Sequence, residues 1–244
     1  MRHKLKLNYA ALALSVLLSS GCNAGAAGID PYFNKENQSA AFFDNALVLN
    51  SASDFLSALE KSWDYPTDLK HKKQGSKTVS SCQQLKQHIS NGYTAAKAYE
   101  HSFVSAQSTI CSMWESMGKF KPYKVSHLNK LSLNKNFATQ APARFALLIS
   151  DEQAKKAEAA SSWNDVSKIK KVTSHNELQS TYYDNTGGIQ RLSLMAKGDY
   201  NGDGIEDQLL YMENSVEGGS YSSAKAYIIT RISPDAPVKL IKEI

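Results

Sequence analysis

Around Ser162 the apolar residues of this 244-residue chain change their spacing, and that change constrains the fold more than any other feature. Before it, they recur at three- and four-residue steps, the period of a helix with one buried face. Ser53 can cap a helix carrying Phe55, Leu56, Leu59 and Trp63, and Ser81 with Gln84 has capping-box spacing ahead of Leu85 and Ile89. The clearest stripe is Tyr99, Phe103, Ala106, Ile110, Met113, Trp114 and Met117, which stops at Gly118. A fourth helix is predicted over 143–160. After Ser162 the runs are short and punctuated by turn residues. Strands are predicted at 191–195, 208–212, 226–232 and 238–241, around turns at Asp184–Gly188, Gly218-Gly219-Ser220 and Pro234–Pro237. Helices first and strands afterwards indicate α+β, a helical N-terminal part (51–165) followed by a C-terminal antiparallel β-meander (166–244).

The start of the chain has a different logic. Arg2, Lys4 and Lys6 precede an apolar run from Tyr9 to Leu18, too short to cross a bilayer, which needs about 20 apolar residues. It ends in Leu18-Ser19-Ser20-Gly21-Cys22, which resembles the lipobox of bacterial lipoproteins, with Ser19 where that pattern prefers leucine. The resemblance implies that residues 1–21 are an export signal, and that Cys22 becomes the acylated first residue of the mature chain. Asn23, in place of aspartate, implies the outer membrane, facing the periplasm. An ordinary secretory signal cut near Ala24 or Ala27 is the alternative. Residues 22–50 read as a flexible tether of small and polar residues, with an apolar patch from Ala40 to Leu49 able to pack on the domain. Two further cysteines, Cys82 and Cys111, form an even pair, and in an oxidising compartment such a pair is expected to be a disulfide; two buried free thiols or a catalytic cysteine are the competing reading.

The chain holds 28 Lys and Arg against 23 Asp and Glu, and removing Arg2, Lys4 and Lys6 leaves 25 against 23. So small a surplus does not indicate nucleic acid as a partner. Lys70, Lys72, Lys73 and Lys77, with His71, are the one basic cluster and read as a solvated loop, with a membrane-surface or polyanion contact as the alternative.

The stretch Gly198-Asp199-Tyr200-Asn201-Gly202-Asp203-Gly204-Ile205-Glu206-Asp207 places oxygen-bearing side chains at alternate positions. Calcium takes six to eight oxygens. Asp199, Asn201 and Asp203 can converge if the loop curls, the Ile205 carbonyl can add a ligand, and Asp207 can close the shell. The twelfth position, where an EF-hand needs a carboxylate, is Leu210. The pattern resembles instead the Asp-x-Asn-x-Asp-Gly-x-x-Asp loop between two strands of integrin-type FG-GAP and VCBS repeats. That resemblance implies a structural calcium ion pinning a hairpin; one copy of the motif does not make a propeller. An acidic turn without metal is the competing reading.

The sequence contains no Gly-x-Ser-x-Gly, no His-Glu-x-x-His and no phosphate-binding glycine loop, and its histidines are scattered singly. No residue is assigned a catalytic role. The expectation is a non-enzymatic binding protein, stiffened by calcium and one disulfide, whose partner lies in the cell envelope or is a toxin it neutralises. The alternative is a periplasmic hydrolase acting on cell-wall or lipid substrates.

Overall fold

The computed structural model describes residues 27–35 and 42–244. Its centre is an antiparallel sheet. In chain order its strands are β1 (Tyr32–Phe33), β5 (Ile169–Asn176), β6 (Gln179–Asp184), β7 (Gly188–Gly198), β8 (Asp207–Val216), β9 (Ser222–Thr230) and β10 (Lys239–Glu243). They lie in the order β10-β9-β8-β7-β6-β5, and β1 pairs with β7 beyond the end of β6. The expected meander is present and longer than predicted. β5 and β6 precede it, in a stretch whose lysines and serines hid the alternation.

Both faces of this sheet's central strands, β7 to β9, are buried. Leu209, Ile228 and Ala226 look toward one core, with Phe33, Phe55, Trp63 and Trp114; Leu210, Tyr227 and Ile229 look toward a second, with Phe137, Phe145 and Trp163. A register shift between Leu194 and Ala196 inserts Met195 as an extra residue, so Met195 and Ala196 both reach the first core. Each large apolar side chain fully buried in this way contributes about 1.5–3 kcal/mol.

The first core is roofed by α1 (Ala52–Ala58), α2 (Cys82–Ser90) and α3 (His101–Met117). A small sheet, β3-β2-β4, made of β2 (Thr67–His71), β3 (Gly75–Val79) and β4 (Thr94–Ala95), joins them. This corrects the helical reading of 51–165: the basic cluster is a hairpin in which Leu69 and Val79 are buried while the lysines point outward. Ser51, not Ser53, caps α1, accepting from the Asp54 N–H while the Asp54 carboxylate accepts from the Ser51 N–H. Ser81 caps α2 as expected, with the Gln84 amide donating to it. On α3 the buried face runs through Val104, Gln107, Cys111, Trp114 and Met117, whereas Tyr99 is 78% and Phe103 49% exposed. Tyr99 lies before α3, in a 3-10 turn (Ala98–Glu100), and Phe103 lies in the first turn of α3, on the same face as Gln107 and Trp114 but where that face is still open to solvent.

The second core is covered by α4 (Phe137–Gln140), α5 (Asp151–Ala159) and α6 (Trp163–Val166). The helix predicted over 143–160 begins only at Asp151, where the Ser150 hydroxyl accepts from the Gln153 N–H. Phe145, Ala146 and Leu147 form a continuous apolar run that leaves a short 3-10 turn (Ala143–Phe145) and continues as extended chain, so that all three are buried, which one side of a helix would not allow. Within the expected tether, Phe33 pairs into the sheet and Phe42, Phe43 and Leu49 are buried in the first core. Residues 1–26, which include the export signal and Cys22, lie outside the described residues. Among the described residues no helix is long and apolar enough to cross a membrane.

Cys82, at the first turn of α2, and Cys111, in the middle of α3, form a disulfide with a Cα–Cα distance of 5.3 Å. Both are fully buried in the first core. The bridge closes a ring of 29 residues' separation and ties α2 to α3. Replacing both cysteines by alanine is expected to lower unfolding stability by about 2–4 kcal/mol, read as an earlier urea midpoint. An unchanged midpoint would mean the helices are held without it.

Candidate metal centre

Asp199–Asp207 is the connection between β7 and β8, bounded by the Gly198–Asp207 pair. Its shape is set by tight backbone approaches. At Gly198 a Cβ would lie 2.9 Å from a Phe120 ring carbon and 3.0 Å from the Lys121 carbonyl oxygen, so this position admits no side chain. Gly204 has φ +81°, a conformation that costs other residues steric strain. The loop does not stand alone. The segment after α3 runs beside it, with Lys121 and Asp199 exchanging backbone hydrogen bonds of 2.9 and 2.8 Å and the Lys124 N–H donating to the Gly204 carbonyl at 2.8 Å. Phe120 packs against Tyr200 at 5.7 Å between ring centroids.

The structure brings two of the candidate carboxylates to the neck of the loop and leaves the other polar groups at its tip. Asp199 and Asp207 are buried, Asn201 and Asp203 exposed. Asp199 Oδ1 accepts from the Gly202 N–H at 2.6 Å and Oδ2 from the Gly204 N–H at 2.8 Å. Asn201 Oδ1 accepts from the Asp203 N–H and Asp203 Oδ1 from the Ile205 N–H. Asp207 Oδ2 accepts from the Tyr200 N–H at 2.9 Å, while its Oδ1 is buried with no hydrogen-bond partner. Thr230 faces it across β8 and β9; its hydroxyl favours the charged form without closing a hydrogen bond, and is itself unpartnered. Burial above all, with added repulsion from Asp203 and Asp199, pushes Asp207 up to about 6. The side-chain oxygens are thus turned onto loop amides, and among the described residues no three His, Cys, Asp or Glu side chains form a group that could hold a metal ion. Oxygens available to a cation here are those of Asp199, Asn201, Asp203 and Asp207 and the Ile205 carbonyl, after the tip side chains turn from the amides.

Sequence reasoning missed Lys121–Val125 and Thr230, which frame this loop from distant parts of the chain. No local signal marks them, because their role arises only from pairing across the fold.

Elsewhere, a polar cleft of about 570 Å³ opens between α4, α6 and the segment after β9, lined by residues that include Gln140, Asn164, Asp165, Arg231 and Asp235 but no histidine or cysteine. Asp165 is engaged by the Ser162 N–H and hydroxyl, and Arg231 donates to Gln140 at 2.6 Å. Among the described residues no histidine forms an ion pair: His71 Nδ1 accepts from two turn amides, His88 packs on Tyr93, and His175 pairs with the Thr181 hydroxyl.

No known protein family, curated protein or solved structure matches this chain.

Introducing a methyl group at the neck by Gly198→Ala is expected to cost about 1–3 kcal/mol through the contacts with Phe120, Lys121 and Pro31. Thermal unfolding measures it; a wild-type melting temperature would show that the neck is not tightly packed.

Proposed function

We propose that the chain is an exported lipoprotein, acylated at Cys22 and held at the outer membrane on its periplasmic side, where it acts as a non-enzymatic binding protein stabilised by calcium. The observation that carries the anchoring is the pairing of cysteines. Of the three in the sequence, Cys82 and Cys111 bridge each other, which leaves Cys22 at the end of the basic and apolar leader. A buried disulfide is at home in an oxidising compartment outside the cytoplasm, which supports export. Two or three acyl chains then hold a protein far more firmly than one, since each buried CH₂ contributes about 0.8 kcal/mol. Cys22→Ser is expected to abolish incorporation of a palmitate analogue and release the protein from membranes. Labelling that persists in the variant would refute the anchor.

Calcium is supported by the neck of the β7–β8 loop. The Asp207 carboxylate is buried, one oxygen lacks a partner, and Asp199 and Asp203 disfavour its charge. A divalent cation converts that repulsion into attraction and supplies a partner for the free oxygen. Calcium there would hold the hairpin's shape, drawing on Asp199, Asn201, Asp203, the Ile205 carbonyl and Asp207. A binding role is supported by the scattered histidines and by acids engaged in capping or salt bridges; the partner belongs to the envelope or is a toxin reaching it. Extracellular calcium modules bind with dissociation constants of about 10⁻⁴–10⁻³ M, and saturation at 100 times that constant adds about 2.7 kcal/mol. Chelation is therefore expected to lower the melting temperature, and Asp203→Ala to remove the calcium response. Identical melting in calcium and in chelator would reduce the loop to an acidic turn.

A further inference from the structure

We infer that one end of the fold, the end carrying Ile29, Lys121, Lys124 and Val125, is a docking surface for the phospholipid headgroup layer of the membrane that holds the anchor. The inference rests on the acylation of Cys22 proposed above and adds an orientation to it. Ile29 and Tyr123 exchange backbone hydrogen bonds of 2.7 and 3.0 Å, and the Lys124 and Val125 amides both donate to the Gly204 carbonyl. These contacts bring the first described residues, the segment after α3 and the acidic loop to the same end of the sheet. Two apolar side chains are left in solvent there, Ile29 at 55% and Val125 at 46% exposure. Beside them Lys121 and Lys124 are exposed, and neither takes part in an ion pair among the described residues.

The reach of the chain supplies the occupant. From Cys22 to Ala27 is a step of five residues, at most about 18 Å when fully extended. Acyl chains in the bilayer therefore hold this end close to the headgroups. The opposite end is marked by the turn between β2 and β3, which lies beside the start of α3. β2 pairs with β4, which precedes α3, whereas Lys121 follows the end of α3, and that 17-residue helix is itself about 25 Å long. The chemistry of the near end suits the interface. Apolar side chains enter the acyl boundary, and lysines lay their methylene stems along it while the ammonium groups meet phosphates. The exposed Asp203 at the same end would oppose phosphate, and calcium on the loop removes that opposition.

The test places a polarity-sensitive dye on acylated full-length protein through a single added cysteine, at Asp30→Cys or at Lys73→Cys. Cys82 and Cys111 stay bridged and unlabelled. The protein is inserted into phosphatidylcholine–phosphatidylglycerol vesicles carrying a nitroxide-headgroup lipid, with calcium present. A dye at position 30 is expected to shift to the blue and lose emission to the nitroxide, while one at position 73 does neither. Adding Lys121→Glu and Lys124→Glu to the Asp30→Cys protein is expected to reverse both changes. Equal quenching at the two positions, or none at position 30 while mass analysis shows acyl groups on the N-terminal peptide, would overturn the docking surface alone. An N-terminal peptide without acyl groups would overturn the anchor and the orientation with it.

Discussion

Leu209 and Leu210 are neighbours in the chain, both fully buried, and they face opposite sides of one sheet; Ile228 and Ile229 do the same on the next strand. Neither face of β8 or β9 can be left to water, so each needs a cover. An antiparallel sheet usually has one wet face, and this one cannot. The two covers divide the chain: the disulfide-bridged helices and small sheet pack on one side, the strap and short helices of 128–166 on the other. The Met195 bulge, which turns two consecutive residues toward the bridged side, is a local consequence of the same demand.

The acidic loop inherits its geometry from those strands. Asp207 is the first residue of β8, opposite Gly198 on one side and Thr230 on the other. Its carboxylate is fixed by the sheet before the loop tip has any say. Asp199 is fixed by exchange of backbone hydrogen bonds with Lys121. Two negative groups are therefore held in a buried neck by the packing energy of the whole domain. The tip, with Asn201 and Asp203 exposed, is free to adjust to what binds. Such a division between a rigid neck and an adaptable tip suits a cation that accepts irregular oxygen shells.

The parts of the fold legible in the sequence were those with local signatures. Ser81 announced α2, the run Leu192–Leu194 and the pair Leu209-Leu210 announced central strands, and the even cysteine pair announced the bridge. What stayed hidden depended on distant partners. The β2–β3 hairpin was concealed because four of the five residues of β2 are polar or charged, leaving Thr67, Leu69 and Val79 as its buried positions. Tyr99 and Phe103 misled because Tyr99 precedes the helix and the face that Phe103 shares with Gln107 and Trp114 is covered only further along α3, where Gln107 accepts from the Thr67 hydroxyl. Apolar runs such as Phe145–Leu147 are ambiguous by nature, since a helix with one buried face cannot use consecutive apolar residues. The loop residues were all readable, while the frame around them, Lys121, Lys124 and Thr230, was not.

We propose that the β7–β8 loop is a cation site built on a two-sided sheet. Its most direct measurement is a calcium titration of chelator-stripped, isotope-labelled protein followed by amide resonances. Tyr200, Gly202, Gly204 and Ile205 now donate to the carboxylates that calcium would engage. Their resonances are expected to shift saturably and together, with one midpoint, while those of α2 and the β2–β3 hairpin stay in place. If those four amides do not respond at calcium concentrations up to several millimolar, or if the largest shifts fall elsewhere in the fold, the claim is contradicted.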